Sequence, residues 1–263
     1  MSKVWIGAPV LVLTACGLCA AQAHDGDVIL TADTDARLVT NTHGIDDEIV
    51  ESRVFEAEFG ADGIADFTDE PGFDSPIGAL PANALLGFDI LAAARVWREG
   101  TFETIADERI RIRKSGIDRW TPDTDETVPG FVFGDVNASG VFHHHLGFTL
   151  VDGPGAGTDG IWLLQLGLWS DSGVLAPSRP FWVVFAQGSG TSEQDDAVAW
   201  VLEHLVGTPC AADFNADGVA DFFDLQAFLG RFAQGEPSAD LNADGLLDFF
   251  DLQAFLNAFA AGC

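Results

Sequence analysis

The chain has 263 residues, with 12 Lys+Arg against 41 Asp+Glu, a formal net charge of −29. A field of that sign and size repels nucleic acid and anionic membrane surfaces, and its plain reading is solubility in a salty or calcium-rich exterior that screens self-repulsion. With 48% hydrophobic residues, 21 of them Phe, the chain is not disordered.

Lys3 gives the chain a positive start, residues 4–20 are apolar and uncharged, and Ala21-Gln22-Ala23 fits the small-x-small cleavage rule. Residues 1–23 are therefore expected to be an export signal, too short to span a membrane as a mature segment. The expected location is extracellular or at the cell surface. Leu13-Thr14-Ala15-Cys16 resembles a lipobox, so lipidation at Cys16 is the alternative; the apolar run continues past Cys16, which favours cleavage after Ala23. No other stretch reads as a transmembrane segment.

Residues 24–190 read as mainly β. Apolar runs at 27–32, 37–41, 49–59, 84–96, 108–113, 128–133, 141–151, 160–169 and 180–186 are separated by Gly, Pro, Asp and Asn. Eight or nine strands with no helical periodicity between them predict a β-sandwich or jelly-roll-like domain. Asp62, Gly63, Asp66 and Asp69 imitate an acidic loop, but Gly60 stands where a ligand is needed and Pro71 blocks an exit helix, so the segment reads as a turn. Trp162 and Trp182 sit in continuous apolar runs and are expected in the core, whereas Trp120, beside Arg119 and Pro122, is the best exposed aromatic.

Within 141–151, alternation places Phe142, His144, Leu146, Phe148 and Leu150 on one face, and His143 and His145 on the other. Two imidazoles at i, i+2 stand close enough to chelate one Zn or Cu ion if a third ligand joins them. The candidate third ligand is His24, the first residue after cleavage at Ala23. A solvated face carrying two histidines is the plainer reading. No Gly-x-Ser-x-Gly elbow, phosphate-cradling Gly loop or His-Glu-x-x-His occurs, and no glycosidase pair can be picked from 41 acids. The sequence gives no positive reason to read the chain as an enzyme.

A helix and short linker follow at 191–209. Ser192 with Asp195 makes a capping box, and Ala197, Val198, Val201, Leu202 and Leu205 form the expected inner face. The tail at 210–263 then carries one pattern twice. Asp213, Asn215, Asp217, Asp221 and Asp224 place side-chain oxygens at positions 1, 3, 5, 9 and 12 of a twelve-residue loop, with Gly218 at position 6. Asp240, Asn242, Asp244, Gly245, Asp248 and Asp251 repeat it, while Val219 and Leu246 supply the position 7 carbonyls. That spacing suits two Ca2+ ions, with Asp replacing the usual bidentate Glu at position 12. Residues 213–235 and 240–262, offset by 27, agree at 17 of 23 positions. After each loop an apolar face recurs at i, i+3, i+4, i+7: Leu225, Phe228, Leu229, Phe232, then Leu252, Phe255, Leu256, Phe259. Each repeat thus reads as a loop plus one helix.

Once the leader is cut, Cys210 and Cys263 are the remaining cysteines, and they bracket the repeat. A disulfide between them is expected in an exported chain, with two free thiols the alternative.

On these residues the tail resembles a dockerin domain, the paired calcium-loop module that docks into cohesin receptors. It is most similar to the variant in planctomycete proteins, where a cysteine precedes the first loop and the chain ends Gly-Cys, here Gly262-Cys263. It departs from cellulosomal dockerins where Phe222, Phe223, Phe249 and Phe250 replace small polar contact residues. The resemblance implies a cohesin-like or other surface receptor. His24 with a second histidine is similar to the copper brace of lytic polysaccharide monooxygenases and of copper-carrier β-sandwiches. The body also loosely resembles bacterial surface-anchored β-domains with an N-terminal His and a His-x-His strand.

Two functions are therefore expected in competition. One is an exported binding or structural protein held in an extracellular assembly by a calcium-dependent tail. The other is a copper enzyme or metal carrier, with extracellular polysaccharide or the metal itself as its target, acting through His24 with His143 or His145.

Overall fold

The computed structural model describes residues 26–44, 48–61, 63–151, 159–188, 191–206, 212–214, 220, 222–242 and 245–261. In chain order the strands are β1 (Val28–Ala32), β2 (Leu38–His43), β3 (Ile49–Glu51), β4 (Val54–Glu58), β5 (Phe67–Thr68) and β6 (Phe73–Asp74). Then come β7 (Leu85–Ile90), β8 (Arg95–Arg98), β9 (Thr101–Ile105), β10 (Arg109–Lys114) and β11 (Ile117–Trp120). The last five are β12 (Val128–Asp135), β13 (His143–His144), β14 (Gly147–Val151), β15 (Gly160–Ser170) and β16 (Phe181–Gln187).

The chain is mainly β. One sheet runs β13-β6-β1-β2-β3, a second β11-β10-β14-β5, and the third β12-β7-β15-β16-β4, with β8 and β9 extending it from β15. Apolar side chains from all three meet in one core: Val28, Leu30 and Phe73 from the first, Ile110, Ile112, Phe148 and Leu150 from the second, Phe88, Leu164, Leu166 and Phe185 from the third. Phe185 stacks on Phe59 with ring centroids 4.7 Å apart and lies 5.2 Å from Phe148.

The other face of the third sheet is also covered. Helix α1 (Thr191–Val201) buries Ala197 and Val201 against Ile161, Leu163, Trp182 and Val184. Gln194 fastens it, donating to the main-chain oxygens of Ala57 (3.3 Å) and Val184 (3.2 Å). Burial on both faces explains why β15 and β16 are continuous apolar runs rather than alternating ones. Trp162 and Trp182 are buried as expected, and Trp120 is exposed.

The structure divides three of the expected runs. Residues 49–59 split because β3 pairs with β2 while β4 pairs in parallel with β16, so the chain changes sheet at Ser52-Arg53. Residues 84–96 split into β7 and β8, both on β15 of the third sheet, and 141–151 into β13 and β14, which lie in different sheets. Four short strands, β5, β6, β9 and β11, were not anticipated. Two of them hang on two-residue turns with both φ angles positive, Glu99-Gly100 (52°, 80°) and Ser115-Gly116 (50°, 83°). Such turns match the twist of a hairpin, and glycine adopts the second angle cheaply.

Helix α1 begins at Thr191, one residue ahead of the expected cap at Ser192, and passes into a π-helical turn at Leu202–Val206. The wider turn rotates Leu202 and Leu205 outward, so both are exposed, and Trp200 packs in their stead between Trp97 and Phe102.

In the tail, α2 (Phe222–Gln234) and α3 (Phe249–Ala261) flank a short 3-10 turn at Pro237–Ala239. Phe228 and Phe255, equivalent positions of the two repeats, are fully buried and stack 4.7 Å apart and 7° from parallel. Leu225, Phe232, Leu252 and Phe259 close over them. Leu229 and Leu256 depart from the expected inner face: both are exposed, because two helices in mutual contact bury only a narrow stripe.

Phe185 touches both layers of the main core. Phe185→Ala is expected to destabilise the chain by about 3–5 kcal/mol, read as a lowered midpoint in chemical denaturation with unchanged native far-ultraviolet dichroism.

Candidate cation-binding sites

Two places gather oxygen and nitrogen donors: the tail loops and the outer face of the first sheet. In the second tail loop, Asp251 is completely buried. Its Oδ2 accepts the Asp248 N–H (2.9 Å) and its Oδ1 the Asn242 N–H (3.3 Å), while Asp240 Oδ2 accepts the Gly245 N–H (2.8 Å). Gly245 has φ 81°, so the sharp turn falls where glycine is required. The Asp248 N–H, and after it those of Asn242 and Leu241 and the Asp240 side chain, hold the Asp251 carboxyl below the ordinary carboxylate range against the opposing effect of burial. The Asp240, Asp248 and Asp251 carboxylates of this loop thus each accept main-chain N–H groups of the loop or of the helix that follows it.

Of the first loop, Asp213 and Asp224 are described, and Asp224 is also completely buried at the first turn of α2. Asn215, Asp217, Val219 and Asp221 lie outside the described residues, as do Asp244 and the Cys210–Cys263 pair. From Asp213 onward the tail has nine acids and one base, Arg231. That base bridges the tail and the body: its Nη2 meets Asp35 Oδ2 of the body at 2.6 Å and its guanidinium lies 5.4 Å from the ring of Phe214, in the first loop.

Each helix also presents apolar surface outward. Phe222, Phe223, Phe249 and Phe250 are 59–68% exposed, and the two pairs share one geometry, centroids 6.3 Å apart at 66°. Phe222 and Leu229, like Phe249 and Leu256, are seven residues apart on one helix face, so each helix carries an exposed apolar stripe.

The second place is built by strand register. Val28 pairs with Phe73 in parallel, and His143 with Asp74 antiparallel. Extending those ladders by one side-chain repeat puts Gly72 between Asp27 and His145 on the outer face, with His143 and Asp74 the next pair along. The contacts agree: a Cβ on Gly72 would lie 2.5 Å from His145 Cε1 and 2.7 Å from Asp27 Oδ1. The Gly72 N–H donates to Asp27 Oδ1 (3.0 Å) and Glu70 Oε2 (2.8 Å). His145 donates Nδ1–H to the main-chain oxygen of Asp69 (3.0 Å), which orients its ring.

His143 and His145 are neighbours, as expected, with centroids 5.3 Å apart. His144 faces inward against Phe142 (4.7 Å), and burial first, then Lys114, lowers its pKa. The strand ends at His144. His24, the expected third ligand, lies outside the described residues. Asp27, Glu70 and Asp74 stand beside the histidines instead. Burial raises the Glu70 and Asp74 carboxyls above their ordinary values, and the Asp27 charge adds to both. Sequence reasoning missed these three because a parallel ladder between residues 28 and 73 leaves no local signal; a charged residue opening a buried strand at Asp27 was the single hint.

The acidic turn expected before Pro71 is a turn. Gly60 and Gly63 have φ of 85° and 79°, and Asp66 Oδ1 accepts from Gln187 Nε2 at 2.9 Å. A shallow cleft elsewhere, between α1 and β9, is lined by Phe102, Glu103, Asp125, Trp182 and Trp200, with Asp125 held by Arg95. Among the described residues no helix is long and apolar enough to cross a membrane. No family model and no curated protein matches the chain.

Because the folded Asp251 carboxyl sits below its unfolded value, the stability it contributes is present above the unfolded pKa and disappears as pH falls through the folded one. Acidification below about pH 4 is expected to collapse the Leu247 and Leu252 methyl resonances toward random-coil positions before those of the β-core. Asp251→Asn, which gives up one acceptor oxygen, should collapse them already at neutral pH.

Proposed function

We propose that the chain is an exported calcium-binding protein whose dockerin-like tail attaches a β-sandwich binding or structural domain to an extracellular or cell-surface assembly. The observation that carries this reading is the duplicated tail itself. Two loop-helix units meet at stacked Phe228 and Phe255, and each starts its helix on a completely buried aspartate at loop position 12. Main-chain N–H groups stabilise such a carboxylate in part, but seven further acids in the tail against the single base Arg231, which bonds Asp35 of the body, favour an added cation. The loop positions 1, 3, 5, 9 and 12 offer only oxygen donors at the spacing Ca2+ takes, and this spacing is what supports the reading. Bound there, the ion would supply positive charge and fix the angle at which each helix leaves its loop.

Attachment then rests on the exposed Phe222-Phe223 and Phe249-Phe250 pairs with Leu229 and Leu256. Duplicated aromatic anchors of this kind supply most of the affinity of a protein interface. A receptor with an apolar groove suits them better than one reading small polar side chains. An export signal and a body without a catalytic pattern support a role in placement. The tail is read as seated against the body, since Arg231 bonds Asp35 there.

Pull-down from the native cell envelope with the whole chain tests the proposal. Capture of a discrete receptor in calcium, its loss in EGTA, and a tenfold or greater loss for Phe222→Ser/Phe249→Ser are expected. Capture that ignores both chelator and substitution would refute it.

A further inference from the structure

We propose that Asp27, His143 and His145 form a binding site for one divalent transition ion of the zinc type, seated over Gly72 on the outer face of the first sheet. The site is separate from the tail and does not depend on its function. Each of the three side chains offers one ligand atom, and these atoms lie within 4.8 Å of one another. Tetrahedral zinc with bonds of about 2.0–2.2 Å needs donors about 3.4 Å apart, so side-chain movement of up to about 1.5 Å closes the set.

The second, independent observation is the state of Asp27. It is 2% exposed, and while Oδ1 accepts the Gly72 N–H, Oδ2 is buried with no hydrogen-bond partner. The neighbouring Glu70 carboxyl can meet Asp27 only when it carries a proton, and an ionised pair leaves that buried oxygen for a cation to satisfy. The surroundings supply acids: Glu70 Oε1 lies 3.7 Å from His145 Nδ1, and Asp74 Oδ1 3.7 Å from His143 Nδ1. Both separations exceed a hydrogen bond. The nearby Lys114 Nζ donates to the His145 main-chain oxygen (2.7 Å), so its hydrogen bond goes to the chain and not to these carboxylates.

Gly72 makes the room. A side chain there would strike His145 and Asp27 together, so its absence lets both donors close down over the strand and approach each other. Two imidazoles and one carboxylate select a borderline ion over Ca2+ or Mg2+, which prefer oxygen alone. Glu70, at the rim, can provide a fourth oxygen in place of water. The Asp69 carbonyl and the Asp74 carboxylate, each beside one histidine, stand where outer partners of metal-ligating histidines usually stand.

Equilibrium dialysis of the full chain against Zn2+ in saturating calcium, with Co2+ absorption as a second readout, tests the site. One zinc per chain is expected, with visible cobalt bands indicating nitrogen ligation. His143→Gln, at a half-exposed side chain, and Asp27→Asn should each weaken binding at least tenfold; because Asp27 is buried, native dichroism of that variant is checked first and His143→Gln carries the result if it misfolds. His24→Ala should bind as the parent does. No zinc uptake by the parent, unchanged affinity in His143→Gln, or loss in His24→Ala with full retention in Asp27→Asn would each overturn the proposal.

Discussion

Burying a carboxylate is the constraint on which this chain turns. An isolated charge moved out of water is expensive unless donors or an opposite charge meet it, and this sequence holds few opposite charges to offer. Asp224 and Asp251 are completely buried, Asp27 nearly so, in a chain with 12 bases against 41 acids. The bases that form ion pairs do so near the surface, as with Arg179 to Glu51, Arg95 to Asp125 and Arg231 to Asp35. Exposed pairs of that kind contribute little. Compensation inside therefore falls to main-chain N–H groups and to neutral side-chain donors such as the Trp162 indole on Glu108.

The fold decides where such carboxylates stand. β15 and β16 are buried on both faces and hold the third sheet as a rigid middle layer between the main core and α1. The first sheet, resting on the core through Val28, Leu30 and Phe73, turns its alternate residues outward, and those are Asp27, Gly72, Asp74, His143 and His145. The donor cluster is thus a consequence of one parallel and one antiparallel ladder meeting at β6. In the tail the same role is played by a single aromatic contact. Phe228 on Phe255 joins the two repeats, and with it the two loops that open their helices.

How much of this was legible follows from how far apart the partners lie in the chain. The two tail helices and the contact of their equivalent phenylalanines could be read from the repeat, because each helix face falls within a few turns of chain. The inward Phe142, Leu146 and Phe148 and the outward pair His143 and His145 were legible from alternation alone. Asp27, Glu70 and Asp74 were not, since they meet the histidines only through pairing between distant segments. Leu229 and Leu256 misled for a different reason: helical periodicity marks an apolar stripe without saying whether the neighbour is wide enough to cover it, and here it is not. Leu202 and Leu205 were misplaced because a π turn changes the period on which the reading rests.

The central claim is that the paired loops are calcium sites that organise the helix pair. Isothermal titration of calcium into the chelator-treated whole chain tests it most directly. The claim requires two ions per chain, with a rise in the melting temperature of the tail on binding. A chain that takes up no calcium, or takes it up with the tail's stability unmoved, would contradict it.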